Sequence, residues 1–91
     1  MSDIKEYEYG LVKTVIEAGK INRLEDIFLI VPKTTIARDL KIRPANFNEY
    51  INNVGLFTIN EIEALAALIG VEYDVLYNIL IRQHRLQKEA S

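Results

Sequence analysis

Residues 33–53 read KTTIARDLKIRPANFNEYINN, and the rest of the chain is best understood from this stretch outward. Ile36, Ala37 and Leu40 form an apolar stripe at helical spacing, and Phe47, Tyr50 and Ile51 form a second one. Between the stripes, Lys41-Ile42-Arg43-Pro44 leaves room only for a sharp corner. Pro44 suits the first turn of a helix, where its missing N–H costs little. Ala37 is small at the point where the two helices must cross closely. The stretch therefore predicts two short helices, about 33–40 and 44–53, joined by a tight turn.

Upstream, Asp3 with Glu6 has the spacing of a capping box, and Ile4, Tyr7, Leu11, Val15 and Ala18 recur at three- and four-residue steps. This predicts a helix over 4–18 with that face inward, stopped by Gly19. Asn22 with Glu25 repeats the capping signal. Leu24, Ile27, Phe28 and Val31 then make the stripe of a helix over 22–31, and the extra apolar Leu29 and Ile30 predict burial on most of its sides. Pro32 ends it. Downstream, Asn52-Asn53-Val54-Gly55 is a turn by composition. Thr58 to Glu61 is a full capping box that opens a helix carrying Ile62, Leu65, Ala66, Leu68 and Ile69, stopped by Gly70. A last helix starts near Tyr73, buries Val75, Leu76, Ile79 and Leu80, and runs to about Lys88 before fraying. No segment alternates as a half-buried strand does. The expectation is an all-α bundle of five or six short helices in one domain spanning 1–91.

Composition narrows the function classes. Half the side chains are apolar, a quarter are charged, and the 91-residue chain has room for one small core. The absence of cysteine rules out disulfides and thiolate sites, and a single histidine rules out a histidine-rich metal site. MSDIKEYEYG is not a signal peptide, and the longest apolar run, 64–71, is too short to span a bilayer. A soluble cytoplasmic protein without membrane association is expected. Net charge is −2 but unevenly spread: residues 1–31 carry −2, 32–55 carry +2, 56–81 carry −4 and 82–91 carry +2. The basic excess thus falls on the two-helix corner and on the C-terminus.

The block TTIARDLKIRPANFNEYINN, followed by FTINEIEALAALIGVEYDVLYNIL, resembles the lambda-repressor-like (Cro-type) helix-turn-helix domain. The matching features are Ile36-Ala37, Leu40, Phe47 and Ile51, then Ile62, Leu65-Ala66, Ile69-Gly70-Val71 and Leu76. The resemblance covers about residues 22–81, with 1–20 as an added N-terminal helix and 82–91 as a helix end and tail. It implies a double-stranded DNA partner, a homodimer, and a regulator of transcription that places helix 44–53 in the major groove. Lys33, Arg38, Lys41 and Arg43 would contact phosphate, and Asn48, Glu49 and Asn52 would face bases. Two departures stand out. Lys41 occupies the turn position usually taken by glycine, so it must adopt the left-handed conformation or reshape the turn. Pro44 and Ala45 fall where base-reading side chains usually sit, yet neither has a hydrogen-bonding group.

Other chemistry finds no support in the sequence. There is no nucleophile beside a base, no glycine-rich phosphate loop, and no paired histidine ligands, so no enzyme, cofactor or metal is expected. Tyr7, Tyr9, Tyr73 and Tyr77 read as half-buried packing residues with wet hydroxyls, and His84 as an exposed polar residue. Leu29, Ile30, Tyr77 and Ile81 are surplus apolar residues, suited to a dimer seam or to cover by helix 4–18. The alternative function is a helix-turn-helix-fold interaction module that does not bind DNA, motivated by Pro44-Ala45, Glu49 and the acidic balance.

Overall fold

Where each helix stops is written in its backbone turns. The computed structural model describes residues 3–90, with side chains from Glu6 onward. The helices are α1 (Asp3–Glu17), α2 (Leu24–Phe28), α3 (Lys33–Asp39), α4 (Pro44–Asn52), α5 (Ile59–Ile69) and α6 (Tyr73–Ala90), with a 3-10 turn at Val54–Leu56. No strand occurs among the described residues, and no single described helix is long and apolar enough to cross a membrane.

Three helices end in a left-handed residue. Gly19 (φ 75°) and Gly70 (φ 92°) do so without steric cost, as expected. Lys41 does so at φ 60°. Its N–H donates to the Arg38 carbonyl at 3.1 Å, and the Ile42 N–H donates to the Ala37 carbonyl at 2.9 Å. This is a Schellman turn with lysine in the glycine position. It swings the chain directly into α4, which opens with Pro44 in its first turn. At α5, Thr58 and Glu61 close the capping box in both directions, at 3.1 and 2.9 Å.

The core is one cluster fed by every helix, including Val12, Leu24, Ile27, Val31, Ile36, Phe47, Leu65 and Leu76. Phe47 sits at its aromatic centre, edge-on to Phe28 (centroids 5.9 Å) and Phe57 (6.2 Å), and Tyr50 packs edge-on against Phe57 at 5.0 Å. Phe47 faces inward, with Tyr50 and Ile51 half-buried beside it, so α4 turns its remaining polar residues outward.

The structure corrects several local expectations. Helix α1 buries Tyr9 and Val12 and half-buries Val15 and Ile16, whereas Tyr7 is 71% exposed and Leu11 40%. The inward face is rotated by about one residue, ~100°, from the expected stripe. Periodicity sets the spacing of a buried face but not its phase. Here the phase follows Tyr9, whose hydroxyl donates to the Asp39 carboxylate of α3 at 2.8 Å. The Asp3 cap and the inward Ile4 lie outside the described side chains. Helix α2 is only five residues long, and Leu29, its C-cap, is 86% exposed. Leu24, Ile27 and Val31 take the core side, which leaves Leu29 on the opposite one. The expected Asn22–Glu25 cap is replaced. The Asn22 N–H donates to Asp26 at 2.9 Å, and the Leu24 N–H donates to Gln83 Oε1 at 2.7 Å. On α6, Val75 is exposed, and Gln83 takes the buried place one turn beyond Ile79 and Leu80. His84 is half-buried rather than exposed, and its Nδ1 is sealed from solvent without a partner.

Candidate functional site

The outer side of the α3–α4 corner concentrates the residues singled out by the sequence. Lys33 opens α3, Lys41 occupies the left-handed turn, and Arg43 stands at the N-cap of α4. All three are exposed, as are Asn48, Glu49 and Asn52 on α4. These positions follow from the local fold. Ala37 and Phe47 are buried where the two helices meet, and Lys33, Thr34 and Asn48 stand exposed at the rim of that contact.

Lys33 and Asn48 are brought into contact. The Lys33 ammonium donates to Asn48 Oδ1 at 3.2 Å, spanning from α3 to α4. Beneath this bridge lies a shallow groove of about 230 Å³, walled by Thr34, Ala37, Pro44 and Phe47. Thr34 is a groove residue that sequence reasoning missed. It lies next to Lys33 on the exposed side of α3, so its only signal was adjacency.

Two expected members stand apart. Arg38 is 74% exposed on its side chain but turns towards Asp39, with Nε 3.8 Å from Oδ1. The other Asp39 oxygen accepts from Tyr9, so α1 holds this carboxylate in place. Burial, reinforced by the adjoining Asp39 carboxylate, pushes the Tyr9 hydroxyl well above the usual tyrosine range. Asn52 lies at the far end of α4, beside a polar recess lined by Asn53, His84, Gln87 and Lys88. At the inner edge of α4, Tyr50 donates to Glu61 at 3.2 Å, and its hydroxyl is also raised, by burial first and by Glu61 second.

Behind the site, α6 acts as a strut. The Gln87 carboxamide accepts from the Val54 N–H at 3.1 Å and donates to the Ile51 carbonyl at 2.9 Å. The end of α4 and the following turn are thereby fixed to α6. Among the described residues, no group of three or more histidines or carboxylates has the arrangement of a metal site. No family model, curated protein or solved structure matches the chain.

Proposed function

We propose that this chain is a small double-stranded-DNA-binding protein, a cytoplasmic transcription regulator acting as a homodimer and inserting α4 into the major groove. The proposal takes α2 to α6 as a lambda-repressor-like helix-turn-helix core and α1 as an addition to it. The observation that carries it is the outer side of the α3–α4 corner. In a chain of net charge −2, this corner exposes Lys33, Lys41 and Arg43, together with the polar Asn48, Glu49 and Asn52 of α4. Phosphates fix register and orientation, and base edges supply specificity. The cations therefore take the first role, with Arg38 at the margin, and Asn48 and Glu49 take the second, with Asn52 at the rim.

The test is a titration of mixed-sequence duplex at two salt concentrations. Each phosphate neutralised contributes about −0.9 to the log–log slope, so three or four cations in each protomer give a slope of about −3 to −4 per protomer. Absence of binding at low salt would sink the proposal.

A second reading is a protein-interaction module, and the observation in its favour is apolar exposure. Leu29 is 86% exposed, Ile59 66% and Leu86 60%, and α1 packs on α5. Tyr77 is also exposed, while Ile30 and Ile81 are half-buried. Sedimentation of the chain alone separates the readings when combined with the titration. A self-associating chain that ignores duplex supports the second.

A further inference from the structure

Lys33 opens α3, and its ammonium reaches across the groove mouth to Asn48 Oδ1 on α4 at 3.2 Å. Chemistry fixes which way the carboxamide points. An ammonium has three donors and no acceptor, so only the amide oxygen can face it. Asn48 keeps the two N–H donors of Nδ2 and one lone pair of Oδ1, and Lys33 keeps two donors beside that lone pair. Of the other groove residues, Thr34 adds a hydroxyl, and Ala37, Pro44 and Phe47 have no polar side-chain atom.

A free asparagine presents a donor and an acceptor side by side, the pattern that pairs with N6 and N7 of adenine. Here one of the two lone pairs of the acceptor half is taken, and the Lys33 ammonium lies against that oxygen with further donors of its own. Guanine is the base with two adjacent major-groove acceptors, O6 and N7, whereas adenine sets its N6 donor beside this cation. We infer that Lys33 and Asn48 act as one cationic, donor-rich unit that selects guanine over adenine at the base pair facing Asn48. This rests on the reading that α4 enters the major groove. Glu49, the next residue on α4, is exposed and acceptor-only when ionised. It complements the N4 amino group of cytosine in the same or the adjoining pair. Discrimination thus moves to the second turn of α4, past Pro44 and Ala45, which lack hydrogen-bonding side chains. Lys33 is in this view a specificity-determining residue rather than a phosphate contact alone.

The experiment is a selection from a randomised duplex library by the full chain and by Lys33→Met and Asn48→Ala. Titrations then follow on the selected duplex with its key guanine kept, replaced by adenine, or replaced by 7-deazaguanine. Circular dichroism checks that both variants fold, which their exposed positions favour. The wild-type chain is expected to fix a G·C pair and to lose about ten-fold or more in affinity on the adenine duplex. The 7-deazaguanine duplex, lacking N7, should also bind more weakly. Lys33→Met frees the Asn48 oxygen and should move the preference at that pair towards adenine. Asn48→Ala should erase the preference there and leave the other positions intact. If Lys33→Met weakens every duplex alike and keeps the guanine preference, Lys33 is a phosphate contact only and the inference is overturned. If the wild-type chain enriches no duplex, the DNA reading itself fails and this inference falls with it.

Discussion

Gln83 caps a helix 59 residues away: its Oε1 accepts the backbone N–H of Leu24, the first residue of α2, at 2.7 Å. Its Nε2 donates to Glu25 Oε1 at 2.9 Å, so both ends of the carboxamide are used. One helical turn later, Gln87 does the same for the end of α4 and the turn after it. Two glutamines on one face of α6 therefore hold the helix that precedes the α3–α4 corner and the helix that completes it. The corner is thus anchored on both sides to one long helix, and its own helices are short. Helices α2 and α3 are five and seven residues long, well below the length at which a helix is stable alone.

Gln83→Leu should therefore be costly although it substitutes an apolar residue at a buried position. It leaves the Leu24 N–H without its acceptor, a loss of about 1–3 kcal/mol. A thermal melt should show a fall of about 4–8 °C per kcal/mol. Gln83→Glu keeps an acceptor for Leu24 but faces Glu25 with a second carboxylate. It should be less stable than wild type at neutral pH and recover as acidification restores a proton between the two. A Gln83→Leu chain that melts with wild type would show that the bond contributes nothing.

Lys41→Gly should separate stability from binding. Lys41 is the one non-glycine residue with positive φ among those described. A left-handed conformation costs an L side chain about 1–2 kcal/mol, partly offset by the greater freedom of glycine in the unfolded chain. A net gain of about 0.5–1 kcal/mol in a urea melt is expected. On the proposed DNA-binding reading, the same substitution removes a cation from the corner of each protomer and should reduce the salt slope of duplex binding by about 0.9 per protomer. A variant that lost both stability and binding would contradict the strain argument.

These variants probe features of unequal legibility. The corner, the Thr58 capping box and the Gly70 stop are local, so a few adjacent residues carry each signal. The phase of α1 is not local. Both Tyr7-Leu11 and Tyr9-Val12 are compatible with an amphipathic helix, and the choice was made by Asp39, thirty residues on. The same contact explains why Arg38 turns aside from the groove. The Lys33–Asn48 bridge likewise needs two helices already docked. Gln83 and Gln87 left a faint trace, because they continue the buried spacing of Leu76, Ile79 and Leu80 where the apolar residues stop. An amide at such a position serves a distant backbone, and nothing in its own neighbourhood says which.

Gly55→Ala should destabilise chiefly through its contact with His84. A Cβ there would lie 2.6 Å from His84 Cε1 and 3.0 Å from Nδ1. The ring must shift, at about 1–3 kcal/mol for an overpacked site. Because the clash is with a side chain, His84→Ala should relieve it. The double variant is expected to be more stable than the sum of the two single losses implies, a coupling that denaturant melts of all four chains can measure. Strict additivity would place the cost elsewhere, at Asn53 Oδ1, which accepts from the Gly55 N–H and would lie 3.1 Å from the same Cβ.

Alkaline pH should loosen the attachment of α1. The Tyr9 hydroxyl donates to Asp39, and burial followed by that carboxylate raises its pKa above the ordinary value of about 10. The native state thus holds a proton that the unfolded chain releases. For a raised pKa of this kind, the stabilisation is fully present below the unfolded value and is lost as pH climbs above about 10. Tyr50 is shifted in the same direction and adds to the trend. Thermal melts from pH 8 to 11 should show wild type declining above pH 10. Tyr9→Phe should start lower, because Asp39 loses a donor, and then decline less steeply. Parallel declines in the two chains would mean that Tyr9 does not couple proton binding to folding.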